Sequence, residues 1–352
     1  TLAPAANCTI VVEYAPVSAS AADNDTIDIN FNDGAGPQVS SRDVTGVAVA
    51  PATLTISESD PYNYGTLATG SSSSHVFVVT NTGGFNATGI VESGVGAPYG
   101  YVGGFYPGTA GDCAGTLAPG ATCNLDIEYG PGLVSASDPD TIDIAYNDGV
   151  NPQTVARDVV GVAVTPALIT ITEADPYDYL TVATSGTANH VFTLNNTGGF
   201  QASSIAEIGL APPFAFTGGS FPGTAGTCGV TMAPAATCDI DVEFAPTVTG
   251  VAADTISIQY ANGATTVTSD RDVQGTGAAP ALITITETDP YDFGNITQGS
   301  STTHIFTVDN TGAVPATTVS GSGLSSPFSF TGGSYPGTGG NCTATINPST
   351  PC

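Results

Sequence analysis

The chain contains no tryptophan, no lysine and one methionine, and its only basic residues are three arginines in 352 positions. Each shortage excludes something. Nucleic-acid binding needs cations to neutralise phosphates, and three arginines cannot supply them. An anionic membrane surface would repel the chain for the same reason. No apolar run approaches the ~18 residues needed to cross a bilayer, so membrane insertion of this segment is not expected. Helix formers other than alanine are scarce, which excludes long helices.

Against these shortages stand 31 acidic residues and a formal charge of −28, although only 10% of positions are charged. Glycine (44) and proline (25) are abundant, and 41% of residues are hydrophobic, in short runs separated by turn residues. This composition can bury several small β-rich cores and does not read as disorder. The length suggests two or three domains. The first residue is Thr1 and no signal peptide is seen, so a segment whose targeting information lies upstream is expected.

An internal repeat organises the rest. Pro51-Ala-Thr-Leu-Thr-Ile-Ser-Glu58-Ser-Asp60-Pro61-Tyr62 returns from Pro166 through Glu173 and Asp175 to Tyr177. It returns again from Pro280 through Glu287 and Asp289 to Tyr291, a period of about 115 residues. Each copy continues with His75, His190 or His304, an Asn-Thr-Gly turn, an aromatic-Pro-Gly-Thr segment and a cysteine pair. A copy closes on Arg42-Asp43-Val44, Arg157-Asp158-Val159 or Arg271-Asp272-Val273. All three arginines and all three histidines occupy such equivalent positions. Thr1-Leu2-Ala3-Pro4 matches Thr116-Leu117-Ala118-Pro119, and Cys352 matches Cys238. The expected divisions are therefore a C-terminal half-repeat (1–50), whole repeats (51–165 and 166–279) and an N-terminal part-repeat (280–352).

Within the second whole repeat the strands are expected at 167–172, 190–195, 205–208, 214–216, 239–244, 255–260 and 266–273. They are divided by Gly, Pro and Asn turns. Seven short strands with alternating apolar residues predict an all-β immunoglobulin-like sandwich. No flexible Gly/Ser tether separates repeats, so sandwiches stacked end to end are expected.

Cys113/Cys123, Cys228/Cys238 and Cys342/Cys352 share one spacing and are expected to form a disulfide in each repeat, in an oxidising, extracellular or cell-surface compartment. Cys8 is left over, its register partner lying before Thr1; a bond to a neighbouring chain through Cys342 is the alternative. The Arg-Asp steps (Arg42, Asp43, Arg157, Asp158, Arg271, Asp272) predict a structural ion pair or carboxylate clamp in each sandwich. The recurring acids Glu58/Asp60, Glu173/Asp175 and Glu287/Asp289 admit two readings, as does the series Asp23, Asp25, Asp28 and Asp33 with its echo Asp138, Asp140, Asp143 and Asp148. One is calcium, a hard cation that takes several oxygens. The other, in which no cofactor is bound, is a solvated strand face whose charge keeps a fibre soluble. No nucleophile elbow, phosphate loop or dinucleotide fingerprint occurs in a fitting context, so catalysis is not expected.

The segment from His190-Val-Phe-Thr-Leu-Asn-Asn-Thr-Gly to the cysteine pair and Phe244-Ala-Pro246 resembles the choice-of-anchor D group of immunoglobulin-like repeats in bacterial surface proteins. The resemblance extends to every repeat. It implies a secreted, tandemly repeated, non-catalytic protein. The reading is a structural subunit or segment of an extracellular filament, associating head to tail either as a longer tandem chain or between chains whose part-repeats complete one another. The rival is an adhesin or stalk module recognising glycan or protein, for which Tyr99 and Tyr101 are the aromatic candidates.

Overall fold

The computed structural model describes all 352 residues, and the chain is all-β. Two compact units divide at Val164/Thr165. The first, Thr1–Val164, opens with an antiparallel hairpin, β1 (Ser20–Asn32) and β2 (Pro37–Ala48). A complete sandwich follows. One sheet has the order β3 (Leu54–Ile56), β5 (Ser73–Asn81), β9 (Thr122–Tyr129), β7 (Tyr99–Tyr101). The other has β4 (Tyr62–Ala68), β11 (Pro152–Val164), β10 (Ser135–Asn147), β6 (Ala87–Glu92), β8 (Thr116–Leu117). The antiparallel β10–β11 pair forms the middle of this sheet, and β4 joins β11 in parallel.

The second unit, Thr165–Cys352, repeats the plan. Its sheets are β12 (Ile169–Ile171), β14 (Ala188–Asn196), β18 (Thr237–Phe244), β16 (Phe214–Phe216), and β13 (Tyr177–Ala183), β20 (Thr266–Ala278), β19 (Gly250–Ala261), β15 (Ala202–Glu207), β17 (Thr231–Met232). After Ala278 only β21 (Ile283–Ile285) and β22 (Val308–Asn310) form strands, paired antiparallel, with one further bridge between Ala316 and Ile346.

Alternation places the cores. Leu125, Ile127 and Tyr129 of β9 face Ile142 and Ile144 of β10 across the first sandwich, all fully buried. Ile240, Val242 and Phe244 face Ile256 and Ile258 in the second. Removing such side chains from water supplies roughly 1.5–3 kcal/mol each, which holds the two sheets together. Aromatic rings also fill each core: Tyr99 stacks on Tyr129, as Phe214 does on Phe244. Gly161 and Gly275 lie against these rings, where an added Cβ would approach to 2.4 and 2.6 Å.

The Asn-Thr-Gly turn does more than reverse the chain. Asn81 is fully buried; its Nδ2 donates to the carbonyls of Phe85 and Leu117, and its Oδ1 accepts from Thr53 and Gly83. Asn196 and Asn310 are likewise fully buried and make corresponding bonds. Burying an amide is tolerated only when its groups are satisfied, so each asparagine fixes three segments at once.

Candidate assembly interface

The arginine of each complete sandwich reaches across the fold. Arg157 Nη2 donates to the carbonyl of Ile56 at 2.8 Å, and Nη1 lies 3.6 Å from Asp60 Oδ2. Arg271 makes the same contacts with Ile171 and Asp175. The partner is thus the Asp of the Asp-Pro-Tyr segment and not the adjacent Asp158 or Asp272, because successive residues of a strand point to opposite faces. Asp158 and Asp272 instead accept the hydroxyls of Thr141 and Thr255 from the paired strand. The backbone N–H of Asp158 also donates to Asp60, at 3.0 Å. One guanidinium therefore ties the last strand of a sandwich to its first. Asp60 is half exposed and contributes little by charge; the bond to the Ile56 carbonyl is the stronger part.

The histidines stack on the tyrosine of the same segment, His75 on Tyr62, His190 on Tyr177 and His304 on Tyr291, with ring centroids 4.0–4.2 Å apart. Glu58 lies 3.4 Å from His75 and Glu287 3.9 Å from His304. Tyr99 is buried and donates to the carbonyl of Asp138, and Tyr101 packs edge-on against Tyr106. Burial raises the pKa of both tyrosines, and the Asp138 and Glu92 carboxylates respectively add to the rise. Neither ring belongs to an exposed aromatic patch.

The acidic series is engaged locally. Asp138 accepts from Tyr129 at 2.6 Å and Asp140 from Gly96 at 2.9 Å, while Asp33 and Asp148 accept backbone N–H groups in their hairpin turns. No group of three or more His, Cys, Asp or Glu converges as a cation would require. Cys113–Cys123, Cys228–Cys238 and Cys342–Cys352 are bonded, and Cys8 is free and exposed.

The hairpin β1–β2 and residues 280–352 share local features with the complete sandwiches. In the hairpin, Tyr14 lies over Gly46 and donates to Asp23, as Tyr129 lies over Gly161 and donates to Asp138. Yet Ile29 and Phe31 are 46% and 48% exposed, whereas Ile144 and Tyr146, their counterparts, are 0% and 8% exposed. Arg42 has no carboxylate partner, and both outer edges of β1–β2 are unpaired. In 280–352 the buried Asn310 and the disulfide are in place, but Ile285 and Phe328 are exposed. Residues 291–297, the counterpart of β4 and β13, form no strand. In the complete sandwich β4 and β6 each pair with the central hairpin β10–β11.

No family model matches the chain, and no curated protein matches it. Solved structures match at the level of fold alone. They include mouse clustered PcdhgC3 EC1–3, at 8% identity over 74% of this chain and 78% of that chain, TM-score 0.35. Others are an I-band fragment of titin, at 11% over 66% and 68%, TM-score 0.33, and a protein of unknown function from Porphyromonas gingivalis, at 12% over 63% and 99%, TM-score 0.24. In its own topology, the chain is a tandem array of immunoglobulin-like β-sandwiches stapled by disulfides.

Proposed function

We propose that this chain is a structural segment of an extracellular or cell-surface filament or stalk, built from immunoglobulin-like repeats of the choice-of-anchor D kind. The observation that carries the reading is where the repeated polar and aromatic residues are used. In the two complete repeats arginine, histidine, buried asparagine, cysteine and the aromatic pair all serve contacts inside their own repeat. A repeat spent on its own integrity suits a spacer whose output is reach. The disulfides fit an oxidising compartment, and the acidic surface keeps long assemblies dispersed. The connection from β11 to β12 is short, residues 165–168, as expected for units added in series. An adhesin would present exposed aromatic side chains at equivalent loops, and Tyr99 and Tyr101 do not offer them.

Electron microscopy of the native material tests this reading. Long, thin filaments with an axial repeat matching one sandwich are expected. Dispersed particles that bind immobilised glycans or host proteins in a saturable way would overturn it in favour of the adhesin.

A further inference from the structure

Of the asparagines in the chain, only Asn262 is followed by glycine. It lies in the turn between β19 and β20 of the second sandwich. We propose that this turn is a site of spontaneous covalent modification, at which Asn262 is converted to aspartate through a cyclic imide formed with Gly263. The proposal does not depend on the filament reading. Asn262 Oδ1 accepts the N–H groups of Ala264 and Thr265, at 2.9 and 2.8 Å. Two such donors stabilise the negative charge that develops on Oδ1 when its carbon is attacked. Neither the Asn262 Nδ2 nor the Gly263 N–H is bonded to another group of the protein, so the leaving nitrogen and the attacking nitrogen are both free. Gly263 is exposed at φ +99° and, having no Cβ, leaves its nitrogen open to the side chain and to water.

Other asparagines that hold turns lack this combination. Asn147 also accepts a backbone N–H through Oδ1, but the N–H that follows it, of Asp148, is bonded to the carbonyl of Asn151. Asn81 and Asn196 donate through Nδ2 to buried carbonyls, and the N–H groups after them, of Thr82 and Thr197, are bonded to Thr53 and Leu168. In the reaction the Gly263 nitrogen bonds to Asn262 Cγ and gives up its proton, the Cγ–Nδ2 bond breaks, and Nδ2 leaves as ammonia. Water then opens the imide, at Cγ to give aspartate or at the main-chain carbonyl carbon to give isoaspartate. One water is consumed overall and nothing is oxidised or reduced. The first sandwich already holds the aspartate product in the corresponding turn, where Asp148 accepts the N–H groups of Val150 and Asn151. Aspartate at 262 would meet Ala264 and Thr265 in the same way. Isoaspartate instead routes the main chain through Cγ. The Asn262 carbonyl, which accepts from Ala167 at 2.9 Å, then becomes a free carboxylate, and the anchor before β12 is loosened.

The test uses the full chain, held at physiological temperature and pH and sampled over weeks by peptide mass mapping, with a second portion unfolded in urea. The folded chain is expected to gain about one dalton in the peptide that carries Asn262, while the peptides carrying Asn147 and Asn196 keep their mass. An endoprotease that cuts before aspartate and spares isoaspartate separates the two products. Asn262 that stays intact in the folded chain over the time in which it converts in urea would overturn the proposal. Conversion of Asn147 and Asn196 at the same rate as Asn262 would do so too. The variant Asn262→Asp, which is the aspartate product itself, reports how well that product fits. Its melting temperature at neutral pH is expected to equal or exceed that of the wild type, and a lower one would overturn the match to the Asp148 turn.

Discussion

Asp148 shows how one residue sets a turn. Its Oδ1 accepts the N–H groups of Val150 and Asn151, both at 2.7 Å, and its Oδ2 accepts from Gln153. These bonds, the one from Asn151 foremost, hold the carboxyl below the usual carboxylate range, and Asp33 is held down in the same way by Ala35 and Gly36. A carboxyl depressed in the folded state stabilises above its unfolded pKa of about 3.9, and this contribution is lost as pH falls through the depressed value. The second sandwich fills the same turn with Asn262, whose Oδ1 accepts from Ala264 and Thr265. Asp148→Asn should therefore keep the turn but lower the melting temperature slightly at pH 7, where the ionised carboxylate contributes, the two forms converging as pH falls. Below about pH 4 it should flatten the loss of stability. Thermal melts of both forms between neutral and acid pH check this, and parallel curves down to the lowest pH would contradict it.

Among the elements, the disulfide loop is the clearest local staple. Cys113 and Cys123 are ten residues apart and fasten the Gly-rich segment before β8 to the start of β9. The Cys113→Ala/Cys123→Ala variant should lose about 2–3 kcal/mol at 25 °C on the chain-entropy account. Urea unfolding should show a lower midpoint for this sandwich, while the sandwich closed by Cys228–Cys238 keeps its own. The spacing of the cysteines made this staple legible in the sequence, and the alternating acids and aliphatics of 239–244 made β18 legible. Other elements were not. β13 begins directly after Asp175-Pro176, which reads as the end of a strand, and its run Tyr-Asp-Tyr-Leu-Thr-Val-Ala is interrupted at Leu180, where φ is +62°. Its partner β20 lies almost a hundred residues away and pairs in parallel, so no local periodicity announces it. β19 and β20 extend beyond the expected strands because pairing with each other continues through residues of weak β preference, Gly250 and Gly277 included. The partner of each arginine escaped sequence reading for a related reason. Arg271 and Asp175 are distant in the chain, while the adjacent Asp272 is turned to the other face of the strand.

At the scale of the molecule, charge and assembly oppose one another. The residues 1–50 carry six acids against Arg42, and 280–352 carry four acids and no Lys or Arg. Association of such acidic segments in the proposed filament would bring like charges together, so it would need apolar burial and backbone hydrogen bonds to drive it. Assembly should therefore strengthen as salt is raised from about 10 mM to about 150 mM, where the screening length falls from roughly 30 to 8 Å. Light scattering against salt concentration measures this. Assembly that weakens with salt would point to ionic pairing in place of apolar burial.

The parallel pairing of β4 with β11 has a mechanical consequence. β4 lies near the start of its sandwich and β11 at its end, and they share a register running from Tyr62 opposite Val159 to Ala68 opposite Val164. Tension applied along the chain slides two parallel strands past one another, loading their hydrogen bonds in shear and together. An antiparallel hairpin pulled from its open end parts one bond at a time. Arg157, fastened to Ile56 beside this pair, adds a crosspiece to the same load path. A sandwich wired in this way is expected to give way under tension all at once, not bond by bond.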